Sequence, residues 1–123
     1  SSDLVNEIRN RAARSTTLVF DYGASFKVEP YTMAEWTDRD IAMRDLKWER
    51  RLELALEGSR FFDLVRWGDA AKVMNQYYAS EASRRSYYSD ANFTAGKNEY
   101  LPIPQKQINY SGGLYQQNNG WEK

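Results

Sequence analysis

The stretch ERRLELALEGSRFFDLVRWG, residues Glu49 to Gly68, places charged and large apolar side chains at closely alternating positions. Its charged residues are Glu49, Arg50, Arg51, Glu53, Glu57, Arg60, Asp63 and Arg66. Such a density of charge beside apolar bulk has two explanations. Either the charges carry out chemistry, or they form ion pairs while the bulk between them is buried.

The carboxylates Glu49, Glu53 and Glu57 are spaced i, i+4, i+8, which stacks them on one helix face. Neighbours in such a stack repel by roughly 0.2–0.5 kcal/mol unless a base lies beside them. A carboxylate metal site usually includes His, which this chain lacks. A glycosidase pair needs two carboxyls facing each other across about 5–9 Å, and one ridge does not provide that. We therefore predict that Glu53 and Glu57 each form a salt bridge with a basic residue drawn from Arg50, Arg60 and Arg66.

Arg60, Asp63 and Arg66 follow at i, i+3, i+6, with aromatic residues between them. Arginine donates two hydrogen bonds in a fork that matches a carboxylate, which suits pairing at a partly buried site. The sequence thus indicates a structural role for the whole motif, and its members are Arg50, Glu53, Glu57, Gly58, Arg60, Asp63, Arg66 and Trp67.

Composition excludes several classes of protein. The 123 residues suffice for one domain. Lys+Arg and Asp+Glu are both 17, so the chain has no net field to attract nucleic acid, and the basic KWERR is interrupted by glutamate. Neither Cys nor His occurs, so we expect no metal site and no cofactor. No apolar run is long enough to span a membrane. The chain starts without Met, inside a helical pattern, and we interpret it as part of a longer polypeptide.

Apolar periodicity predicts helices at about 3–13, 33–57, 60–67 and 70–83, followed by an irregular tail at 84–123. Two capping-box patterns, Thr32 to Glu35 and Thr37 to Asp40, offer starts for the second helix. Gly58 is a suitable residue to end it, and Ser59 can cap the next. Trp48 and Leu52 fall on the expected buried face of the second helix.

Outside the helices, STTLVFDYG at 15–23 allows a short strand, and 84–100 allows a short strand or hairpin. The segment LPIP at 101–104 must begin extended, because proline fixes φ and restricts the residue before it. We predict that Leu101 and Ile103 point into the protein.

Aromatic residues are 15% of the chain, and several lie in or near loops. The loop from Arg14 to Trp36 has no helical period and joins two helices, as loops that present ligand sites do. Tyr and Trp offer flat faces to a sugar ring and a polar edge to its hydroxyls. Tyr22, Tyr31 and Trp36 are therefore the candidate ligand-binding residues; the alternative is that these rings cover the helices.

Three motifs in order give the chain a resemblance to a known family. ERRLELALEGSRFFDLVRWG, then LPIPQKQI, then QNNGW resemble the C-terminal part of the SusD/RagB family of outer-membrane nutrient-binding lipoproteins. The opening LVNEIRNRA resembles a helix that lies upstream in that family. Gln107 and Asn119 depart from the pattern, where the family commonly has an acidic residue and proline.

The resemblance implies a mainly α fold of TPR-like helix pairs with long loops, of which residues 1–123 would be the C-terminal portion. It implies a protein without enzymatic activity that binds oligosaccharides, or peptides in some branches. The expected partners are a glycan and a SusC-type TonB-dependent transporter, without nucleic acid. The location would be the outer-membrane surface, with anchoring through a lipidated N-terminus absent from this chain. Two alternatives remain open: a helical-repeat module for protein–protein interaction, and a fragment of a hydrolase.

Overall fold

The computed structural model describes residues 2–14 and 27–122, and within those ranges the protein is helical with no β-strand. The predicted mainly α fold is confirmed. Five α-helices occur there: α1 (Ser2–Arg14), α2 (Arg39–Glu53), α3 (Arg60–Trp67), α4 (Ala70–Glu81) and α5 (Gln105–Tyr110). The chain divides into two compact units, Ser1–Glu57 and Gly58–Lys123.

In the first unit, α2 begins later than the sequence predicts, at Arg39 rather than residue 33. The side chain of Asp38 accepts hydrogen bonds from the backbone N–H groups of Asp40 and Ile41 at 2.8 and 3.1 Å, which satisfies the free donors of the first turn. The Thr32–Glu35 capping box also forms, but it precedes only a short 3-10 helix at Glu35–Thr37. The second predicted box, Thr37 to Asp40, does not form, because the Thr37 hydroxyl donates to the Ala34 carbonyl at 2.8 Å and Asp38 caps α2 instead.

The end of α2 also differs, at Glu53 rather than residue 57. Leu54 leaves the helical region, and Leu56 adopts a left-handed backbone with φ 67°. That conformation costs a non-glycine residue roughly 1–2 kcal/mol. Gly58, with φ 75°, lies beyond this turn and is not the residue that closes the helix.

The second unit is built on α3 and α4. Gly68, at φ 73°, closes α3: its N–H donates to Val65, and the N–H of Asp69 donates to Leu64. These two bonds form a Schellman motif, in which a left-handed residue satisfies the last free carbonyls. The hydroxyl of Ser59 makes no capping bond at the start of α3, contrary to the sequence expectation. The core of this unit consists of Leu64, Ala70 and Phe93, with Phe61, Val65, Ala71, Val73, Met74 and Tyr78 packed around it.

Residues 84–122 contain more helix than the sequence predicts and no hairpin. A 3-10 helix occupies Ser86–Tyr88, and α5 follows directly after Pro104. The expected strand or hairpin at 84–100 is wrong, because that segment is a series of turns. The strand suggested for 15–23 lies outside the described residues.

The proline segment is held by side-chain amides rather than by its own apolar residues. Leu101 is 85% exposed, so the prediction that it points inward is wrong, whereas Ile103 is half-buried. The Gln117 amide accepts from the N–H of Ile103 at 2.7 Å and donates to its carbonyl at 2.9 Å. Asn118 donates to the carbonyl of Leu101 at 2.7 Å. Two polar residues of the tail therefore fix the segment.

Candidate ligand-binding surfaces and the charged scaffold

Glu49 is the buried centre of the first unit. One of its oxygens, Oε1, accepts hydrogen bonds from the Arg9 guanidinium of α1 and from the Tyr31 hydroxyl, the latter at 2.9 Å. Arg9 also donates through Nε to the carbonyl of Glu29 at 2.5 Å. The Glu49 side chain thereby connects both helices and the segment that precedes Trp36. This carboxylate is therefore paired with a guanidinium and a phenol from two other segments.

The other two carboxylates of the ridge differ from the prediction. Glu53 pairs with Arg11 of α1 and not with Arg50, Arg60 or Arg66. Glu57 is exposed on the turn after α2, and it forms no ion pair within the part of the chain that the structure describes. Because α2 ends at Glu53, Glu57 lies outside the helix. It is therefore not on the helix face that carries Glu49 and Glu53.

Two further carboxylates are buried. Asp63, only 2% exposed, pairs with Arg66 one turn later on α3. Asp45, 7% exposed, lies 2.9 Å from the Arg44 guanidinium. The remaining members of the motif also have partners: the Arg60 guanidinium lies 5.9 Å from the ring centroid of Trp67, and Arg50 takes part in further bonding. Among the described residues, the charged residues of the motif are thus engaged in ion pairs or other contacts, with the exception of Glu57.

Tyr31, one of the candidate ligand residues, is closely held. The Asn6 amide accepts from its N–H at 2.8 Å and donates to its carbonyl at 2.9 Å. The Arg9 guanidinium lies over its ring at 4.3 Å, and the ring of Trp36 is 5.6 Å away. Burial, followed by the hydrogen bond to the Glu49 carboxylate, raises the pKa of Tyr31 to about 12. Tyr31 consequently positions Trp36 and remains neutral.

Trp36 is half-buried, and its indole N–H is a buried donor without a hydrogen-bond partner among the described residues. A buried donor of this kind costs about 1–3 kcal/mol if nothing accepts from it. Tyr22, the third candidate, lies outside the described residues. Within the described chain, therefore, the structure brings Tyr31 and Trp36 together.

A cleft of about 510 Å³ lies between α1 and α2 in the first unit, and the sequence did not indicate it. Trp48 and Leu52, which the periodicity placed on a buried face, are 51% and 54% exposed and line this cleft. The other lining residues are Ile8, Arg9, Ala12, Lys27, Val28, Glu49 and Glu53. Its walls combine an exposed indole with carboxylate and guanidinium groups. The tryptophan within the charged sequence KWERR was the signal in the sequence that could have indicated an exposed indole.

No group of His, Cys, Asp or Glu suited to hold a metal ion occurs in ranges 2–14 and 27–122. No helix there is both long enough and apolar enough to cross a membrane.

The first unit combines ion pairs between α1 and α2 with an exposed indole and apolar side chains that line their cleft. A family model identifies the class: the SusD family model matches residues 1–121, and the chain belongs to the SusD/RagB family. This is a family of binding proteins, generally non-catalytic, known for binding glycans and other nutrients, and its members are outer-membrane-associated lipoproteins. No curated protein matches the chain.

Proposed function

We propose that this protein binds an oligosaccharide at the outer-membrane surface and delivers it to a SusC-like TonB-dependent transporter, without catalysing a reaction. We also propose that the chain is the C-terminal portion of the family fold. The observation that carries the proposal is the family match over residues 1–121. The arrangement of the charges supports it, because the carboxylates of Glu49, Glu53 and Asp63 already have arginine or tyrosine partners.

The proposed sugar contacts in the first unit are Trp36, Tyr31 and Tyr22. Trp36 is the main one, because its half-buried ring lies beside Tyr31 and can offer a flat face to a sugar ring. Tyr31 contributes by fixing the position of Trp36, since its own hydroxyl already donates to Glu49. The neighbouring cleft adds the exposed indole of Trp48.

The test is calorimetric titration of the intact protein with neutral hexasaccharides of α-glucan, β-glucan, xylan and mannan backbone. We expect saturable binding of at least one of them, and weaker binding by the Trp36→Ala variant. Incubation with the same sugars should release no shorter products. Absence of binding to all four would contradict the proposed ligand class, and cleavage would support the hydrolase alternative.

A further inference from the structure

Four tyrosines from two elements of the second unit come together in one cluster, which we name the tyrosine platform. Tyr77 and Tyr78 lie near the end of α4, and Tyr87 and Tyr88 lie in the 3-10 helix that follows. Tyr88 is central: its ring centroid lies 5.5 Å from that of Tyr78 in a stacked arrangement, 5.6 Å from Tyr77 and 4.5 Å from Tyr87. Residues ten positions apart in sequence thus form one aromatic surface.

The platform has a supported inner side and an open outer side. Tyr78 packs against the core cluster and is half-buried, as is Tyr88. Tyr87 is 70% exposed and Tyr77 is 41% exposed. Held rings lose little side-chain freedom when a ligand stacks on them, because tyrosine has only two rotatable side-chain bonds and its neighbours restrict these.

Two guanidinium groups and one carboxylate lie beside the platform, so these three groups carry a net charge of +1. The guanidinium groups of Arg84 and Arg85 lie 3.7 and 3.8 Å from the carboxylate of Glu81. Hydrogen bonding to Tyr88 raises the pKa of Tyr77, and partial desolvation together with Tyr88 raises the pKa of Tyr87. Tyr77 and Tyr87 therefore present neutral hydroxyls, which both donate and accept, beside their exposed aromatic faces.

We infer that the tyrosine platform is a second sugar-contact surface, with Tyr87 as the stacking residue and Tyr77 as its hydroxyl-bearing neighbour. A neutral oligosaccharide fits this chemistry, because its ring has an apolar face for stacking and hydroxyls at its edge for the tyrosine O–H groups. Both nearby guanidinium groups are already paired with Glu81, so the proposed recognition depends on ring stacking and hydroxyl contacts rather than on charge. The inference rests on the proposed function, since it names a site for the same class of ligand.

The test uses the intact protein and the hexasaccharide that it binds most tightly of the four. Tyr87→Ala should raise the Kd about three- to tenfold, which is the range expected for the loss of one aromatic stacking contact. Tyr87→Phe should keep most of the affinity, because it keeps the aromatic ring. Tyr100→Ala is the control, because Tyr100 is 57% exposed in the same unit but outside the platform. Equal Kd values for Tyr87→Ala and Tyr100→Ala would overturn the inference and leave the proposed function standing.

A second measurement does not depend on how well a variant folds. The wild-type protein is nitrated with tetranitromethane, with and without saturating hexasaccharide, and the modified tyrosines are identified by peptide mass spectrometry. Bound sugar should protect Tyr87 and not Tyr100. Equal nitration of Tyr87 in both samples would overturn the inference. A third sample contains the transporter and no sugar. Protection of Tyr87 in that sample only would also overturn the inference and would identify a protein interface. Failure of the wild type to bind any of the four sugars would overturn both the platform and the proposed ligand class.

Discussion

Glu49 and Glu53 lie one helical turn apart on α2 and have the same side chain, but their surroundings differ. Glu49 is 8% exposed and accepts from Arg9 and Tyr31, while Glu53 pairs with an Arg11 side chain that is 68% exposed. A solvent-exposed ion pair contributes about 0–1 kcal/mol, whereas removing one partner of a buried pair leaves the other charge unpaired. The ion pairs of Glu49 should therefore contribute more to the free energy of unfolding than the ion pair of Glu53.

We predict that Glu49→Ala lowers the free energy of unfolding by roughly 3 kcal/mol, because Arg9 then lacks its carboxylate partner. Glu53→Ala, the matched control on the same helix, should cost less than about 1 kcal/mol. Urea unfolding of both variants measures the difference. Equal losses would show that burial does not distinguish the two carboxylates.

Tyr31 gives the protein a predicted sensitivity to alkaline pH. Its pKa is about 12 in the folded state against an ordinary value of 10, so the folded state holds the phenol proton more tightly than the unfolded chain does. The stabilisation is fully present below pH 10 and is lost as pH rises from about 10 to 12. The free energy of unfolding of Tyr31→Phe should therefore fall less steeply over this range than that of the wild type. Parallel curves would contradict the assigned environment of Tyr31.

At the scale of elements, three side-chain amides hold irregular segments in place. Asn6 brackets the backbone of Tyr31, Asn75 brackets Phe93, and Gln117 brackets Ile103. In each case one amide accepts from a backbone N–H and donates to the carbonyl of the same residue. Each amide provides the two hydrogen bonds that a neighbouring β-strand would otherwise supply, which explains how buried backbone groups are satisfied without a strand.

Asn75 makes the strongest test of this arrangement, because Phe93 is only 6% exposed and belongs to the core. Asn75→Ala removes both partners of the Phe93 backbone and should cost about 2–3 kcal/mol. Gln76→Ala, an exposed neighbour on α4, should cost less than about 0.5 kcal/mol. Thermal unfolding of both variants measures the change in the free energy of unfolding. A loss below about 1 kcal/mol for Asn75→Ala would contradict the role of its amide in holding the Phe93 backbone.

Local signals predicted α3 well and α2 poorly, for a physical reason. The Gly68 signal at the end of α3 is unambiguous, because only a left-handed residue completes the Schellman motif there. For α2, two capping patterns compete at the start, and at its end the chain uses Leu56 in a left-handed conformation that sequence preference disfavours. The start of α2 is set by the local Asp38 cap, whereas the structure shows no packing among the described residues that accounts for Leu56, which is fully exposed.

At the scale of the whole molecule, the order of three motifs identified the family, whereas the candidate site depended on geometry. Tyr31 and Trp36 were identified as loop aromatics, but the Glu49 bond that holds Tyr31 joins residues far apart in sequence. Trp48 was assigned to a buried face because periodicity shows which residues share a face and not which face is covered. The tyrosine platform likewise requires the turn after α4, which no short pattern specified.

The two units differ in how many apolar residues they bury, and this difference predicts which helices unfold locally most often. The second unit contains the buried cluster of Leu64, Ala70 and Phe93, while Val5 is the sole buried hydrophobic residue among the described residues of the first. Regions with fewer buried apolar contacts open at lower free energy. Native-state hydrogen exchange should therefore protect the amides of α3 and α4 more strongly than those of α1. Stronger protection in α1 would contradict this assignment of the core.

The central claim is that the charged motif forms the scaffold and that loop aromatics bind the ligand. The measurement is glycan affinity and free energy of unfolding for Trp36→Ala and Asp63→Ala in the intact protein. Trp36→Ala should weaken glycan binding at least about fivefold with little loss of stability, because an interface tryptophan is commonly worth more than 1 kcal/mol. Asp63→Ala should cost about 3 kcal/mol of stability and leave the affinity within about twofold. Unchanged affinity with strong destabilisation for Trp36→Ala would show that this aromatic belongs to the core and would contradict the account.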